Sequence, residues 1–471
     1  MKLEPNKVTE YIMISPAVSF WILLSLLTSF CDAIAQDFCV ADYTAPQSLA
    51  GYPCKNPNKV TADDFVYSGL GVEGNTSNPL KFGVSTAFVS DFPALNGLGV
   101  SMVRTDLGPG GVISLHSHPR ASEIVLVVEG TITSGFISTA NDVYIKTQKK
   151  GDIIIIPQGL LHFSVNSGKS QALLFASFSS ENPGVQVLDR ALFGNNWPTQ
   201  FIAATTSLDP DVIKKLKDKC LRSKSEKCRD KGYIVLNKRT EWTLRPMKWP
   251  VGDSIALLGD VVQTSTLSLL ICLCHATVLK DFCVADYKAP QHAGGYSCKD
   301  PENVKADDFV FSGLATAGNT SNLFKGAFTS AFSNEFPGVN GLGVSLSRGD
   351  FAPGGVIAMH SHPGVTELIL VAKGTLTAGF ITSVTSANKV YVKTLKEGDV
   401  IAIPQGLLHF GVNTGSSDAL VYAAFSDENP AIQVLDLALF GNNLATDLIS
   451  DTTFLDPEVI KKLKGVFGGS G

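Results

Sequence analysis

Short runs of β-branched and aromatic residues, separated by glycine, proline and asparagine, fill the middle of the chain. The first set lies between Gly111 and Ser179 and reads GVISLHSH, EIVLVVEGTITSGFI, VYIKT, GDIIIIP, HFSVNSG and ALLFASFS. Short runs of this kind, bounded by turn residues, are typical of strands. Because the runs are evenly spaced, they favour a sandwich or a barrel, and we predict an all-β fold.

The hydrophobic pattern changes after these strands. The segments DPDVIKKLK and DPEVIKKLK, which begin at Asp209 and Asp456, have apolar residues at helical spacing. An aspartate before a proline favours the start of a helix, since the carboxylate caps free backbone N–H groups and proline fits the first turn. We therefore predict α-helices behind the strands, with these two aspartates as N-caps.

Nearly the whole chain is a tandem repeat. The number of residues between Cys39 and Cys283 equals the number between His116 and His360. A short insertion after the segment GFI shifts the later part of the second copy, where VLDLALFGNN matches VLDRALFGNN. A period of this length indicates duplicated domains rather than a solenoid. We predict one domain over residues 36–222 and a second over residues 281–471.

The first residues have the pattern of a secretory signal. A basic start precedes an apolar run from Ile12 to Phe30, and Ala33 and Ala35 follow in the A-x-A spacing of a cleavage site. We predict a signal peptide over residues 1–35, cleaved after Ala35. A membrane anchor is the alternative that the apolar run alone would allow.

A second uncharged apolar segment, Val261–Leu279, lies in the stretch 223–280 between the repeats. It is either a linker that packs against a domain or a second signal peptide, with Lys248 as its basic start. A membrane span preceded by basic residues would leave the second domain in the cytosol, away from disulfide chemistry. We therefore interpret the chain as two complete secretory precursors joined end to end, either by a true fusion or by two neighbouring genes read as one.

Composition limits the classes of function. Hydrophobic residues make up 44% of the 471-residue chain and charged residues 17%, which is sufficient for large cores and excludes global disorder. The formal net charge is -5, so no basic face for nucleic acid is indicated.

The cysteines indicate an oxidising compartment. Nine cysteines include two pairs with identical spacing, each at the start of a repeat: Cys39 with Cys54, and Cys283 with Cys298. Because a disulfide that closes a loop of this size stabilises a secreted protein by roughly 3 kcal/mol, we predict both bonds. The sequons at Asn75 and Asn319 occupy equivalent places and predict glycosylation, which agrees with secretion.

Most of the eight histidines recur at matched positions in the two repeats. His116 and His118 alternate within one predicted strand, so both side chains point to the same face. Pro119 ends that strand, Glu123 lies near the start of the next, and His162 begins a later strand. We predict that these three imidazoles and one carboxylate converge inside the domain. The matching set in the second repeat is His360, His362, Glu367 and His409.

Three imidazole nitrogens and one carboxylate oxygen suit a divalent first-row metal ion. The lack of cysteine in the set argues against a structural zinc site. Manganese or iron would accept these ligands and keep two positions for water or substrate. Zinc with three histidines is an alternative. Copper binds more tightly in general, so the metal selected in the cell would depend on supply. A purely structural cluster is the other interpretation, and its repetition in both halves argues against it.

Two motifs resemble the two boxes of the cupin family. The first, G-x5-H-x-H-x4-E-x6-G, begins at Gly110 and again at Gly354. The second, G-x5-P-x-G-x2-H-x3-N, begins at Gly151 and again at Gly398. The flanking segments DFCVADY, GNTSN, ALFGNN and TTFLDPEVIKKLKGVFGG resemble plant germin-like proteins, particularly the auxin-binding-protein-like group.

This resemblance implies a β-jelly-roll barrel with C-terminal helices in each repeat, one Mn(2+) ion per barrel, an apoplastic or cell-wall location, and a ring-like homo-oligomer, a hexamer of cupin domains. One departure is informative. Germins with oxalate oxidase activity carry an asparagine three residues before the first motif histidine, whereas Ile113 and Ile357 stand here. Isoleucine cannot hydrogen-bond a carboxylate, so oxalate oxidase activity is not expected.

The tripeptide RGD at 348–350 spells a known adhesion motif. The first repeat has RTD at the equivalent place, 104–106. We interpret both as structural, in a turn that enters the metal-bearing strand.

Functions from different classes remain open. A redox-active manganese ion with open positions would suit superoxide dismutation, an activity associated with germin-like proteins. A small carboxylate such as auxin could instead occupy those positions, with its ring among apolar side chains. The third is a structural or storage protein of the wall, in which the metal stabilises the fold. A two-domain enzyme resembling oxalate decarboxylase is a weaker fourth, since such enzymes lack an internal signal-like segment.

Overall fold

The computed structural model describes residues 37–47, 51–206, 208–221, 281–292, 295–383 and 386–471. We call the described residues up to Leu221 domain 1 and those from Asp281 onward domain 2. The predicted signal peptide over 1–35 and the segment Val261–Leu279 lie outside the described residues. Within the described part of the chain, no helix is both long and apolar enough to cross a membrane.

Domain 1 contains eleven strands followed by three helices. The strands are β1 (Val66–Tyr67), β2 (Phe82–Ala87), β3 (Ser101–Leu107), β4 (Val112–Ser117), β5 (Glu123–Glu129), β6 (Thr131–Ile137), β7 (Val143–Lys149), β8 (Ile153–Ile156), β9 (Leu161–Asn166), β10 (Ala172–Phe178) and β11 (Gln186–Val187). The helices are α1 (Leu188–Phe193), α2 (Thr199–Thr206) and α3 (Pro210–Leu221). All six segments predicted as strands are strands, from β4 to β10.

Domain 2 repeats this order after a short hairpin. Its strands are β12 (Gln291–His292), β13 (Gly295–Tyr296), β14 (Val310–Phe311), β15 (Gly326–Ala331), β16 (Ser345–Phe351), β17 (Val356–Ser361), β18 (Glu367–Lys373), β19 (Thr375–Ile381), β20 (Val390–Lys396), β21 (Val400–Ile403), β22 (Leu408–Val412), β23 (Ala419–Phe425) and β24 (Gln433–Val434). The helices are α4 (Leu435–Phe440), α5 (Thr446–Thr453) and α6 (Pro457–Phe467). Short 3-10 helices precede the main strands, among them Ala62–Phe65 and Ala306–Phe309.

Each domain consists of a six-stranded and a five-stranded antiparallel sheet. In domain 1 the orders are β14-β8-β5-β10-β3-β2 and β11-β4-β9-β6-β7. In domain 2 they are β1-β21-β18-β23-β16-β15 and β20-β19-β22-β17-β24. In domain 1, side chains from both sheets line one interior cavity, so the sheets face each other. The predicted all-β jelly-roll fold with C-terminal helices is confirmed.

One early strand of each domain, β1 in domain 1 and β14 in domain 2, belongs to a sheet of the other domain. Strand β1 pairs with β21 in the register Val66 to Ile401, and β14 pairs with β8 in the register Val310 to Ile154. This exchange explains why β8 is a continuous apolar run whose residues are all buried. One face of β8 lines the interior, and domain 2 covers the other, which removes the usual alternation with polar residues.

We call the two exchanged segments the arms, residues 62–67 of domain 1 and 306–311 of domain 2. Aromatic side chains hold each arm against the other domain. Phe309 is fully buried, and its ring centroid lies 4.8 Å from that of Phe136 in domain 1. Phe65 is buried in the same way, 4.8 Å from Phe380 in domain 2. Burying one such ring contributes roughly 2–3 kcal/mol. The two domains therefore share one continuous hydrophobic core.

Glycine permits a close approach between the domains at two equivalent places. Gly151 has a φ of 84°, and a Cβ placed on it would lie 2.1 Å from the Cα atom of Ala315 in domain 2. Gly398 stands in the equivalent relation to Gly71, again at 2.1 Å. A side chain at either glycine would both strain the backbone and push the domains apart.

The C-terminal helices begin as predicted. The carboxylate of Asp209 accepts a hydrogen bond of 2.8 Å from the amide of Asp211, and Asp456 does the same for Glu458. Each helical group has its own small apolar cluster, formed in domain 2 by Phe440, Ile449 and Ile460.

One disulfide closes the start of each domain: Cys39 with Cys54 in domain 1 and Cys283 with Cys298 in domain 2. Both sequon asparagines, Asn75 and Asn319, are exposed.

The segment 348–350 lies within β16 and not in a turn, which corrects the expectation for this tripeptide. Arg348 and Asp350 are buried, and the guanidinium donates to the carboxylate at 2.7 and 2.8 Å. Arg348 also donates to the carbonyl of Leu314 at 2.9 Å. In domain 1, Arg104 and Asp106 make the equivalent ion pair at 2.9 Å. Both pairs connect a core strand to the preceding segment, so the structural interpretation agrees with their geometry.

Candidate metal centres

The five-stranded sheet positions two histidines of each cluster opposite each other. In domain 1, His116 on β4 pairs directly with His162 on β9, and their ring centroids are 4.0 Å apart. The register shifts between Ile113 and His116, which marks a β-bulge. An extra residue in one strand re-aims the side chains that follow it. The bulge therefore determines which side of β4 faces the cluster.

His118 does not lie in the strand, as the alternating pattern predicted. Strand β4 ends at Ser117, and His118 is the first residue beyond it. Its ring centroid still lies 5.0 Å from that of His116. The side chains still converge, since His118 directly follows the strand and the turn begins only at Pro119.

The facing sheet supplies the carboxylate. Glu123 is the first residue of β5, as predicted, and its Oε2 atom lies 2.9 Å from Nε2 of His162 and 3.6 Å from Nε2 of His118. One ligand atom from each of the four side chains lies within 4.8 Å of the others, and all four residues are buried. The structure thus brings together the complete set that the sequence predicted.

Domain 2 repeats this arrangement. The Oε2 atom of Glu367 lies 2.9 Å from Nε2 of His409 and 3.8 Å from Nε2 of His362. His360 pairs with His409 across β17 and β22, after the same register shift. The two clusters belong to different domains and share no residue.

Backbone carbonyl groups orient every imidazole. In domain 1 the Nδ1–H groups of His116, His118 and His162 donate to the carbonyls of Ser114, Gly184 and Leu160 at 2.8, 2.5 and 2.8 Å. In domain 2, His360, His362 and His409 donate to Ala358, Ala431 and Leu407 at 2.8, 2.6 and 2.8 Å. This contact fixes the tautomer and leaves the lone pair on Nε2, which points toward the cluster.

Sequence reasoning missed these carbonyl partners. The Ser114 and Leu160 carbonyls lie two residues from the histidines they orient, but Gly184 is in a loop far along the chain from His118. A backbone carbonyl carries no side-chain signature, so no pattern in the sequence indicates it. The asparagine of the second motif has a different role from the ligands. Asn166 donates to the carbonyls of Leu107 and Gly108, which holds the turn before β4.

Burial keeps four of these histidines neutral. It lowers the pKa of His116, His118 and His162 to about 4, and that of His360 to about 4 as well. Removal from water disfavours the charged imidazolium more than the nearby carboxylate favours it. At neutral pH the first cluster therefore offers three uncharged imidazoles, and His360 in the second cluster is uncharged as well.

The buried polar atoms fit a bound cation. Within the described structure, Glu123 Oε2, His162 Nε2, Glu367 Oε2 and His409 Nε2 are buried without a hydrogen-bond partner. A buried polar atom without a partner costs about 1–3 kcal/mol. In each domain the histidine nitrogen lies 2.9 Å from the carboxylate oxygen, with its lone pair directed toward the negative charge. A metal ion bound by the nitrogen and the oxygen would give both atoms a partner.

The comparisons with known proteins agree with the fold and the cluster. The family model described as Cupin matches residues 68–214 and 312–461, more than half of the chain. The chain therefore belongs to the cupin family. A germin-like protein of Morus alba is 57% identical over 200 residues, which cover 42% of this chain and 96% of that protein.

Other relatives identify the group of each domain. The auxin-binding protein ABP19a of Prunus persica is 61% identical over 192 residues, which cover 41% of this chain and 92% of that protein. A solved structure of a Bacillus subtilis oxalate decarboxylase mutant is similar over 86% of both chains, with a TM-score of 0.59 and 16% identity. That likeness shows the tandem fold alone. The chain is a tandem of two germin-like domains of the auxin-binding-protein-like group.

Proposed function

We propose that this protein is a secreted germin-like protein of the plant apoplast that binds one Mn(2+) ion in each domain and dismutates superoxide. The observation that carries the proposal is the convergence of three imidazoles and one carboxyl group within 4.8 Å, twice in one chain. Three nitrogens and one hard oxygen suit manganese and keep positions open for an exchangeable ligand.

The residues of the chain would have separate tasks. His116, His118, Glu123 and His162 would hold the first ion, and His360, His362, Glu367 and His409 the second. The carbonyls that accept from Nδ1 would keep the imidazoles oriented. A redox-active ion would supply one-electron chemistry, by which two superoxide anions and two protons give dioxygen and hydrogen peroxide.

The test compares full-length protein with a variant that lacks one ligand in each domain, His118→Ala with His362→Ala. Metal content is measured by elemental analysis, and activity by inhibition of superoxide-dependent dye reduction. We expect two manganese ions per chain and activity in the wild type, and neither in the variant. His292→Ala, an exposed histidine of β12, is the matched control and should change nothing. Wild-type protein that carries two ions but has no activity would refute the enzymatic proposal. It would still agree with the proposed metal sites.

The second candidate is binding of auxin or another small carboxylate. It is favoured by the 61% identity to a protein named as auxin-binding and by the apolar side chain of Ile113 beside the cluster. Ile113 stands where oxalate oxidases of the germin family have asparagine, so oxalate is not the proposed ligand. Calorimetric titration of metal-loaded protein with indole-3-acetic acid distinguishes the two. Saturable binding in a protein without superoxide turnover would replace the first candidate.

A wall or storage protein without catalysis is the third candidate. Secretion is supported by the two disulfides, which persist in oxidising compartments, and by the exposed sequon asparagines. The proposed glycans on Asn75 and Asn319 can be detected by mass spectrometry before and after enzymatic deglycosylation.

We also propose a homo-oligomer, a ring equivalent to a hexamer of cupin domains. Apolar side chains of the C-terminal helical region are exposed, including Phe454 at 94% and Leu448 at 55%. Exposed apolar groups in one region favour association with a second surface. Light scattering of the purified protein should give a mass above that of one chain, and Phe454→Ser should lower it.

A further inference from the structure

The two metal clusters have the same ligands, but the walls beside them differ. In domain 1 a cavity of about 20 Å³ adjoins His116, Glu123 and His162. A cavity of this volume holds about one water molecule. The buried Oε2 and Nε2 atoms that have no hydrogen-bond partner among the described residues belong to two of its lining residues, Glu123 and His162.

Hydroxyl groups form part of the cavity wall in domain 1. Ser134 and Ser164 pair directly across β6 and β9, and their Oγ atoms are 2.8 Å apart. Both serines are buried, and Thr105 on β3 lines the same cavity. The bond between the serines uses one of their two hydroxyl hydrogens, so the other can be donated to a ligand.

Domain 2 has no hydroxyl at these three positions. Ala378 and Gly411 pair across β19 and β22, as Ser134 and Ser164 do in domain 1. On β16, Gly349 pairs with Val421, which is the register that Thr105 has with Leu174.

Carbon atoms occupy the space that side chains would take at these glycines. A Cβ on Gly411 would lie 2.9 Å from Cδ1 of Ile357, and a Cβ on Gly349 would lie 2.8 Å from Cγ2 of Val421. Ile357 is buried, whereas its counterpart Ile113 is partly exposed. The wall beside the second cluster is therefore apolar where the first is polar.

We propose that domain 1 carries a hydrogen-bonding subsite for one water-sized polar ligand beside its cluster, formed by Ser134, Ser164 and Thr105, and that domain 2 lacks it. The inference rests on the proposed metal function, which it deepens. A small ligand that loses its water shell in a buried site needs hydrogen-bond partners there. Domain 1 offers them and domain 2 does not, so one chain would hold two chemically different centres with identical ligands.

The first test does not depend on the metal. A crystal structure of the full chain should show an ordered solvent molecule within hydrogen-bond distance of Ser134 or Ser164, and none in contact with Ala378 and Gly411. An empty cavity in domain 1, or equal density in both domains, would overturn the proposal. Metal content of the same protein separately decides the proposed function.

The second test uses fluoride, a water-sized anion, as the probe. Titration of the manganese-loaded chain, followed by electron paramagnetic resonance, should give two dissociation constants that differ by about tenfold. Ser134→Ala, Ser164→Gly and Thr105→Gly together copy domain 2 at the three positions and should leave a single weak phase at unchanged metal content. Identical affinities at the two sites of the wild type would refute the subsite.

A variant with the opposite substitutions keeps the test decisive if the first variant loses its metal. Ala378→Ser with Gly411→Ser places two hydroxyls in domain 2, where Cδ1, the end of the Ile357 side chain, has to move to make room. This variant should bind fluoride tightly at both sites. An unchanged weak phase would count against the role of the serines.

Discussion

In domain 1 the Nε2 atom of His162 lies 2.9 Å from the Oε2 atom of Glu123. The opposite ring nitrogen donates to the carbonyl of Leu160, so neutral His162 presents a lone pair to a carboxylate. A lone pair and a negative charge at this distance repel each other unless a proton or a metal ion lies between them. Since burial keeps His162 neutral, a metal ion is the partner that fits this pair.

The first prediction is that each domain loses its metal independently. His118→Ala should reduce the bound metal from two ions to one per chain, because it removes a ligand from domain 1 and leaves the set of domain 2 complete. Elemental analysis of the purified variant measures this, and His362→Ala is the matched variant for domain 2. Loss of both ions in either single variant would mean that the sites depend on each other.

The second prediction concerns acid. Burial lowers the pKa of His116, His118 and His162 from 6.5 to about 4, so between these values the unfolded chain takes up protons that the folded chain does not. The free energy of unfolding of the metal-free protein should therefore fall as the pH is lowered from 6.5 toward 4. Above pH 6.5 these histidines should contribute no pH dependence.

Urea denaturation of the metal-free protein at a series of pH values measures this effect. Carboxylates also lose favourable contacts in acid, so the histidine contribution is taken as the difference from His162→Gln. That variant should show a shallower decline between pH 6.5 and 4. Equal slopes in the two proteins would contradict the lowered pKa of His162. Saturating manganese should shift the decline in the free energy of unfolding of the wild type to lower pH.

The ligand set could be predicted from sequence because its signals are local. His116 and His118 come from one short segment, and Glu123 is separated from them only by a turn. The convergence of His162 followed from its position at the start of a strand. The bulge between Ile113 and His116 could not be predicted, since one extra residue in a ladder leaves no compositional trace.

The exchange of arms was also beyond sequence reasoning. Strand β1 has only two residues, too few to show any alternation, and its partner Ile401 lies in the other repeat. The run of four isoleucines in β8 predicted a strand, but nothing in it indicated that an element of the other repeat would cover it. The polar difference between the walls beside the two clusters was visible in the sequence as Ser134 against Ala378. Its consequence for the site follows only from the structure, in which Ser164 pairs directly with Ser134.

The third prediction tests the exchanged arm. Phe309 belongs to domain 2 by sequence but packs against Phe136 and Tyr144 of domain 1. Phe309→Ala should destabilise the protein by about 3–5 kcal/mol because it leaves a cavity in the shared core. Hydrogen exchange should become faster in β8, to which the arm is paired. Val72→Ala, at a side chain that is 64% exposed, is the control and should change stability by less than about 0.5 kcal/mol.

Exchange in β8 is the decisive readout. A domain that folds independently would lose protection near Phe309 itself and retain it at Ile153–Ile156. Unchanged exchange in β8 would therefore show that the arm does not stabilise domain 1.

The fourth prediction concerns the start of each domain. The carboxylate of Asp281 accepts a hydrogen bond of 2.7 Å from the amide of Thr139 in domain 1. Asp37 accepts one of 2.8 Å from the amide of Ser383 in domain 2. The first described residues of each domain are thus docked on the other domain. A chain cut before Asp281 would keep these contacts and the shared core.

We propose that the segment Val261–Leu279 acts as a second signal peptide and that the mature second domain begins near Asp281. Under denaturing and reducing conditions, an antibody against the second repeat should detect a species of about 20–25 kDa, the size of one domain. Under native conditions both halves should elute together, because the exchanged arms hold them. Leu270→Arg, which interrupts the apolar run, should abolish the small species. A single band near the 50.0 kDa of the whole chain, less the predicted signal peptide, would instead establish one uncut chain with both domains.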